Sequence, residues 1–188
     1  MFRGVHCKVA SLERWLGIIA YRLQQVYQQL GLVAPLTHED YAEVEQWLPP
    51  SALPLFRQMS MADQQHSLRV CRGLQARGCV EQDMLAAALL HDVGKAQGRV
   101  PFWTRPVLVI GKLVAPALLA KLAVEPHRCD IQKLPSWRCK LSYAWWHAEV
   151  GADLAAAAGL SERAVLYIRA HHQATGPAAE LHLVDEVS

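Results

Sequence analysis

The 188-residue sequence has no C-x-x-C pair, and its five cysteines, at positions 7, 71, 79, 129 and 139, are odd in number. A secreted disulfide framework is therefore disfavoured, and reduced thiols in a cytoplasmic protein are expected. No stretch alternates with period two and no Asn-Gly or Asp-Gly step occurs, so hairpins are not expected. No targeting segment is expected: the start, MFRGVHCKVASLERWLG, breaks its apolar run at Lys8, Glu13 and Arg14 and has no small-residue cleavage site. Charge is scarce, at 19% of residues with a formal balance of +2, so the total carries no argument for nucleic-acid or membrane binding. No stable nucleic-acid complex is expected. An uninterrupted membrane-spanning run is lacking too. The most apolar window, residues 106–124, contains Lys112 and Lys121, each costing about 2.5–3.5 kcal/mol near a bilayer centre. Pro116 divides it further.

What is present is core material. Hydrophobic residues make up 52% of the chain, which suits one domain, or one domain with a modest extension. The punctuation is helical. Residues 11–30 run to Gly31, and Thr37 opens EDYAEVEQWL, with Asp40 in an acidic first turn, up to Pro49-Pro50. Further helices are expected over 61–76, closed by Gly78, over 81–93, halted at Gly94, over 140–158, closed by Gly159, and from Ser161 to about Gln173. The fold class is all-α. Charge is unevenly shared: residues 95–140 hold nine Lys/Arg against two acids, a local balance of +7, and four of the six tryptophans, Trp103, Trp137, Trp145 and Trp146, lie in the stretch between His91 and His147. This segment is expected to line or cover a pocket for an anionic substrate, or to fill the core with its indoles.

The nine histidines are the second unusual feature. His66 shares a helical stripe with Ala62, Val70, Gly73 and Leu74, and His147 aligns with Ala144, Val150, Gly151 and Leu154. His171 and His172 flank the direction set by Ala164 and Ile168. One inward histidine is ordinarily a hydrogen-bonded core residue. Several on separate helices need several partners, and a shared cation supplies them together. His91-Asp92 is sharper. Helical neighbours diverge by about 100°, so both reach one centre only where the helix ends or bends, and Gly94 is expected to supply that freedom. Lys95 then caps the helix end or offers a charge to phosphate. Asp185 lies among Leu181, Leu183 and Val184, as on a terminal helix packed against the body. His6, His38, His127 and His182 have no ligand spacing and are expected at the surface.

The order His66, then His91-Asp92, then Asp185, with the segments DQQHSLRV, AAALLHDVGK, HAEVGADLAAAAG and IRAHHQ, resembles the HD superfamily of metal-dependent phosphohydrolases. The resemblance covers residues 61–188 and implies an HD-domain helical bundle there, with residues 1–60 as an N-terminal helical extension. It implies that His66, His91, Asp92 and Asp185 bind one divalent metal. His147, with His171 or His172, would bind a second that Asp92 bridges. The ion or ions would be Mn, Fe, Co, Ni or Zn, which a mixed His/Asp set does not distinguish. Such a centre activates water and clamps phosphate oxygens. Lys95 would offset charge on the transferred group, and Arg69, one turn after His66, would assist or remain a surface residue.

The implied activity is hydrolysis of a phosphoester or phosphoanhydride in a small molecule such as a nucleotide, with Asp92 and Lys95 in the catalytic set. A non-catalytic nucleotide-binding regulator and a di-iron oxygenase of the same fold are the alternatives, and an oligomer is allowed. Two departures narrow the reading. HHQATGPAAEL lacks the Glu and Tyr of the cyclic-di-GMP branch, and Ala62 stands where trinuclear relatives carry an acid.

Overall fold

The computed structural model describes residues 34–98, 100, 111, 114–126 and 131–188. These form helices α1 (His38–Trp47), α2 (Leu53–Gln58), α3 (Met61–Ala76), α4 (Gln82–Leu90), α5 (Gly94–Gln97), α6 (Pro116–Leu122), α7 (Ser136–Trp145), α8 (His147–Ala157), α9 (Glu162–Ala170) and α10 (Ala179–Val187), with a 3₁₀ turn at Ile131–Lys133. No strand occurs among the described residues, and the all-α expectation holds. The expected helix over 11–30 with its Gly31 stop, the residues around Trp103, His6, His127, Cys7 and Cys129 lie outside the described residues. No helix among the described residues is long and apolar enough to cross a membrane.

Local signals account for several helix ends. Thr37 and Asp40 form a reciprocal cap at α1: Asp40 N–H donates to Thr37 Oγ1 at 3.1 Å, and Thr37 N–H donates to the Asp40 carboxylate at 2.8 Å. Ser60 and Ser161 cap α3 and α9 through the backbone N–H of Asp63 and Ala164. Gly78 and Gly159, at φ 89° and 85°, close α3 and α8. There the N–H of Cys79 and of Leu160 reaches back to the carbonyl of Leu74 and of Ala155.

α4 is the central element. Seven successive residues, Met84 to Leu90, are buried, so the helix is apolar on every face and requires cover on every side. α3 and α9 pack along it, α1 and α2 lie against it, α8 pairs with α9, and α10 lies on α3. Val44 and Phe56 of the first two helices, with Leu48 at the end of α1, share one core with Leu74, Leu85, Leu89, Ile168 and Leu181. Burying side chains of this size contributes about 1.5–3 kcal/mol each.

Three expected boundaries need correction. α4 ends at Leu90, not 93, and 91–93 is a turn with helical dihedrals. The expected helix over 140–158 is two helices, α7 and α8, interrupted at Trp146 (φ −100°, ψ 16°). α9 stops at Ala170, which puts His171 and His172 in a turn rather than inside the helix.

Candidate metal centre

Those three breaks build the site. The last carbonyls of a helix lack partners within it, and at each break a histidine supplies one. The Nδ1–H of His91 donates to Ala88 O at 2.8 Å, that of His147 to Ala144 O at 2.8 Å, and that of His171 to Ile168 O at 2.7 Å. In every case the acceptor lies three residues back, in the last turn of α4, α7 or α9. A carbonyl only accepts, so Nδ1 carries the hydrogen and Nε2 is turned inward as the potential ligand atom.

The inward atoms meet around Asp92, itself buried. Its Oδ2 lies 3.6 Å from His91 Nε2, and its Oδ1 lies 3.4 Å from His147 Nε2 and 2.5 Å from Lys95 Nζ. On the His91 side, His66 Nε2–H donates to Asp185 Oδ1 at 2.7 Å, and the same oxygen is 3.4 Å from His91 Nε2. On the other side, His147 Nε2 is 3.3 Å from His171 Nε2 and 3.0 Å from His172 Nε2. Two sets therefore have the spacing of metal ligands: His66, His91 and Asp92, and His147, His171 and His172. Asp185 adjoins the first set and Asp92 touches both.

The electrostatics agree with this division. Burial works against charge on His91, but the Asp92 and Asp185 carboxylates beside it prevail and push its pKa up to about 9. Burial opposes ionisation of Asp92 as well, yet Lys95 and then His91 hold its carboxyl well below the usual range. Asp185 is held far down by His91 and His66 against the same burial. His147 and His171 go the other way. Burial and then Lys95 depress His147, while burial and then His172 depress His171.

Both of these imidazoles are thus neutral with Nδ1–H committed, and their Nε2 lone pairs face each other at 3.3 Å with no hydrogen to share. His91 Nε2 is also buried, the residue being 1% exposed, and faces the Asp185 and Asp92 carboxylate oxygens at 3.4 and 3.6 Å without a close hydrogen bond to either. A divalent cation fits both observations: it accepts converging lone pairs, and two or three imidazoles with shared carboxylates are a donor set that borderline transition metals take. Nitrogens 3.0–3.3 Å apart have the separation of ligands bound to one ion at about 2.1 Å.

The remaining expected residues divide. His66, His91, Asp92, His147, His171, His172, Asp185 and Lys95 come together as expected. His172 is the exposed member. Arg69 lies on the exposed side of α3, and Trp137 is 58% exposed, so neither is core. His38 is exposed as expected, but His182 is not simply a surface residue. It is partly buried on α10, and its Nδ1–H donates to His171 O at 3.2 Å, bracing the turn that carries two of the histidines. Its spacing of eleven residues from His171 gives no periodic signal. Gly94 also has a different use from the expected bend. It lacks positive φ, and a Cβ there would stand 2.2 Å from His147 O and 2.9 Å from Gly151 N. Glycine at 94 permits backbone contact between α5 and α8, which brings the His91-Asp92 turn up to His147. Compared with protein-family models, curated proteins and solved structures, the chain has no match.

Proposed function

We propose that this chain is a cytoplasmic divalent-metal-dependent phosphohydrolase of the HD type, hydrolysing a phosphoester or phosphoanhydride of a small molecule such as a nucleotide. The observation that carries the reading is the pair of neutral, backbone-anchored imidazoles, His147 and His171, whose Nε2 atoms face each other beside Asp92. His66, His91, Asp92 and Asp185 would hold one ion, and His147, His171 and His172, with Asp92 between the sets, a second. When bound, these ions supply Lewis acidity toward phosphoryl oxygens and lower the pKa of water. The chain's own groups do the rest. Ala88, Ala144 and Ile168 orient the imidazoles, and Asp92 holds the two histidine sets at one centre. Lys95, partly exposed, keeps an ammonium at the centre's edge where it can pair with phosphate.

The test is metal content together with turnover. Protein loaded with Mn²⁺ or Co²⁺ is expected to bind up to two ions per chain and to hydrolyse an aryl phosphate or a nucleotide, and Asp92→Ala is expected to stay folded while losing both. Tight nucleotide binding without turnover across a broad screen overturns hydrolysis in favour of a sensor. Iron-dependent O₂ consumption overturns it in favour of oxidation.

A further inference from the structure

The basic segment that the proposed chemistry leaves unused carries its own geometry. α6, PALLAKL, has no buried residue. It lies on α7 through Arg138 Nε–H to Leu122 O at 2.9 Å and Val124 N–H to Ser142 Oγ at 2.9 Å. Val114 (77%), just before α6, Leu118 (57%) on it and Trp137 (58%) on the contacting α7 are exposed. Neither α6 nor α7 contains an acidic residue, while Lys121, Arg138 and Lys140 belong to them.

We infer that this face docks on an anionic lipid surface, with Leu118 and Trp137 entering the interface and Lys121 and Lys140 meeting the headgroups. The charge selects this occupant. A second copy would set like charges against each other. A protein partner needs directional polar recognition, roughly one hydrogen bond per 100–200 Å², yet Lys121 is the one side chain of α6 able to hydrogen-bond. Apolar insertion next to lysine is what a lipid surface asks for, and a tryptophan beside it suits the headgroup level. The overall balance of +2 conceals this, because fifteen of the seventeen acids lie outside residues 95–140.

The experiment is vesicle flotation of the full chain. Binding is expected to vesicles of phosphatidylcholine mixed with phosphatidylglycerol, not to phosphatidylcholine alone, and is expected to weaken with added salt. The exposed double variant Leu118→Ser/Trp137→Ser is expected to lose about tenfold or more in partitioning, with melting and metal content unchanged. Lys121→Gln is expected to lose about fivefold and serves alone if the double variant melts early. No flotation, equal binding to neutral vesicles, or undiminished binding by these variants overturns the inference. So does binding to polyglutamate in place of vesicles, or a dimer that the double variant dissolves. None of these readouts involves turnover, so failure here and failure of the phosphohydrolase reading are distinguishable.

Discussion

Gly94 and His147 meet backbone to backbone: a Cβ on Gly94 would stand 2.2 Å from the carbonyl oxygen of His147. The obstruction is main chain on a packed helix, which cannot rotate away. Gly94→Ala must therefore separate α5 from α8 and draw the His91-Asp92 turn away from His147. The expected result is destabilisation by about 1–3 kcal/mol or more, with fewer ions bound per chain. Urea unfolding and elemental analysis check the two parts, and a variant with wild-type stability and stoichiometry would refute the assignment.

His171 and His172 are adjacent but carry different structural duties. His171 is buried and closes α9 through Ile168 O, whereas His172 is exposed. His171→Ala is expected to cost about 1–3 kcal/mol in the metal-free protein. His172→Ala should stay within about 0.5 kcal/mol. Both should weaken metal binding at the His147 side, measured by titration after chelation. Unchanged affinity in His172→Ala would remove that residue from the ligand set.

The metal-free protein is expected to be most stable near pH 6.5. His91, pushed up to about 9 from its ordinary 6.5, contributes its stabilisation fully below 6.5 and loses it as pH climbs toward 9. His147 and His171, pushed down, contribute fully above 6.5 and lose their share as pH falls below it. Asp92 and Asp185, held low, add a further loss in acid below their ordinary 3.8. Denaturant midpoints across pH in the presence of a chelator report this. A stability that rises steadily from neutral to pH 9 would contradict it.

Metal binding is expected to release protons. A ligand Nε2 must be unprotonated, while His91 with a pKa of about 9 is mostly charged near neutrality in the metal-free state. About one proton per bound ion at the His91 side should therefore appear between neutral pH and 8. Calorimetry in two buffers of different ionisation enthalpy measures it, and no release would mean that His91 is not a ligand.

Lys95 pairs with Asp92 at 2.5 Å yet stays partly exposed. Lys95→Met is expected to keep the metal stoichiometry and to lower kcat/KM for an aryl phosphate by about 10²–10³. Loss of metal without a change in turnover per bound ion would assign Lys95 to holding Asp92 and not to the substrate.

Much of the site was legible along the chain because its residues stand at helix punctuation. An apolar run stops at His91-Asp92, and the stripe through Val70 and Leu74 carries His66 inward. Other features left no local trace. A helix-breaking residue does not mark the interruption at Trp146, where alanines and aromatics read as continuous helix. The part played by His182 depends on α10 lying near the turn after α9, which no spacing encodes. Expecting a backbone bend from Gly94 followed from sequence context, whereas its real constraint comes from α8, more than fifty residues away.

Periodicity, caps and stop signals determined by themselves that the fold is all-α, where α1, α3, α4 and α9 begin, and that His66 and His147 turn toward the interior. Those properties depend on neighbours within a turn or two, and the chain supplies them directly. Only the tertiary structure decided that helix-end carbonyls at Ala88, Ala144 and Ile168 aim three Nε2 atoms inward, and that Asp92 stands between two histidine sets. It also left α6 uncovered with lysine beside it. Such relations arise from packing between segments distant in the chain, where close approach and burial, rather than local preference, choose the geometry.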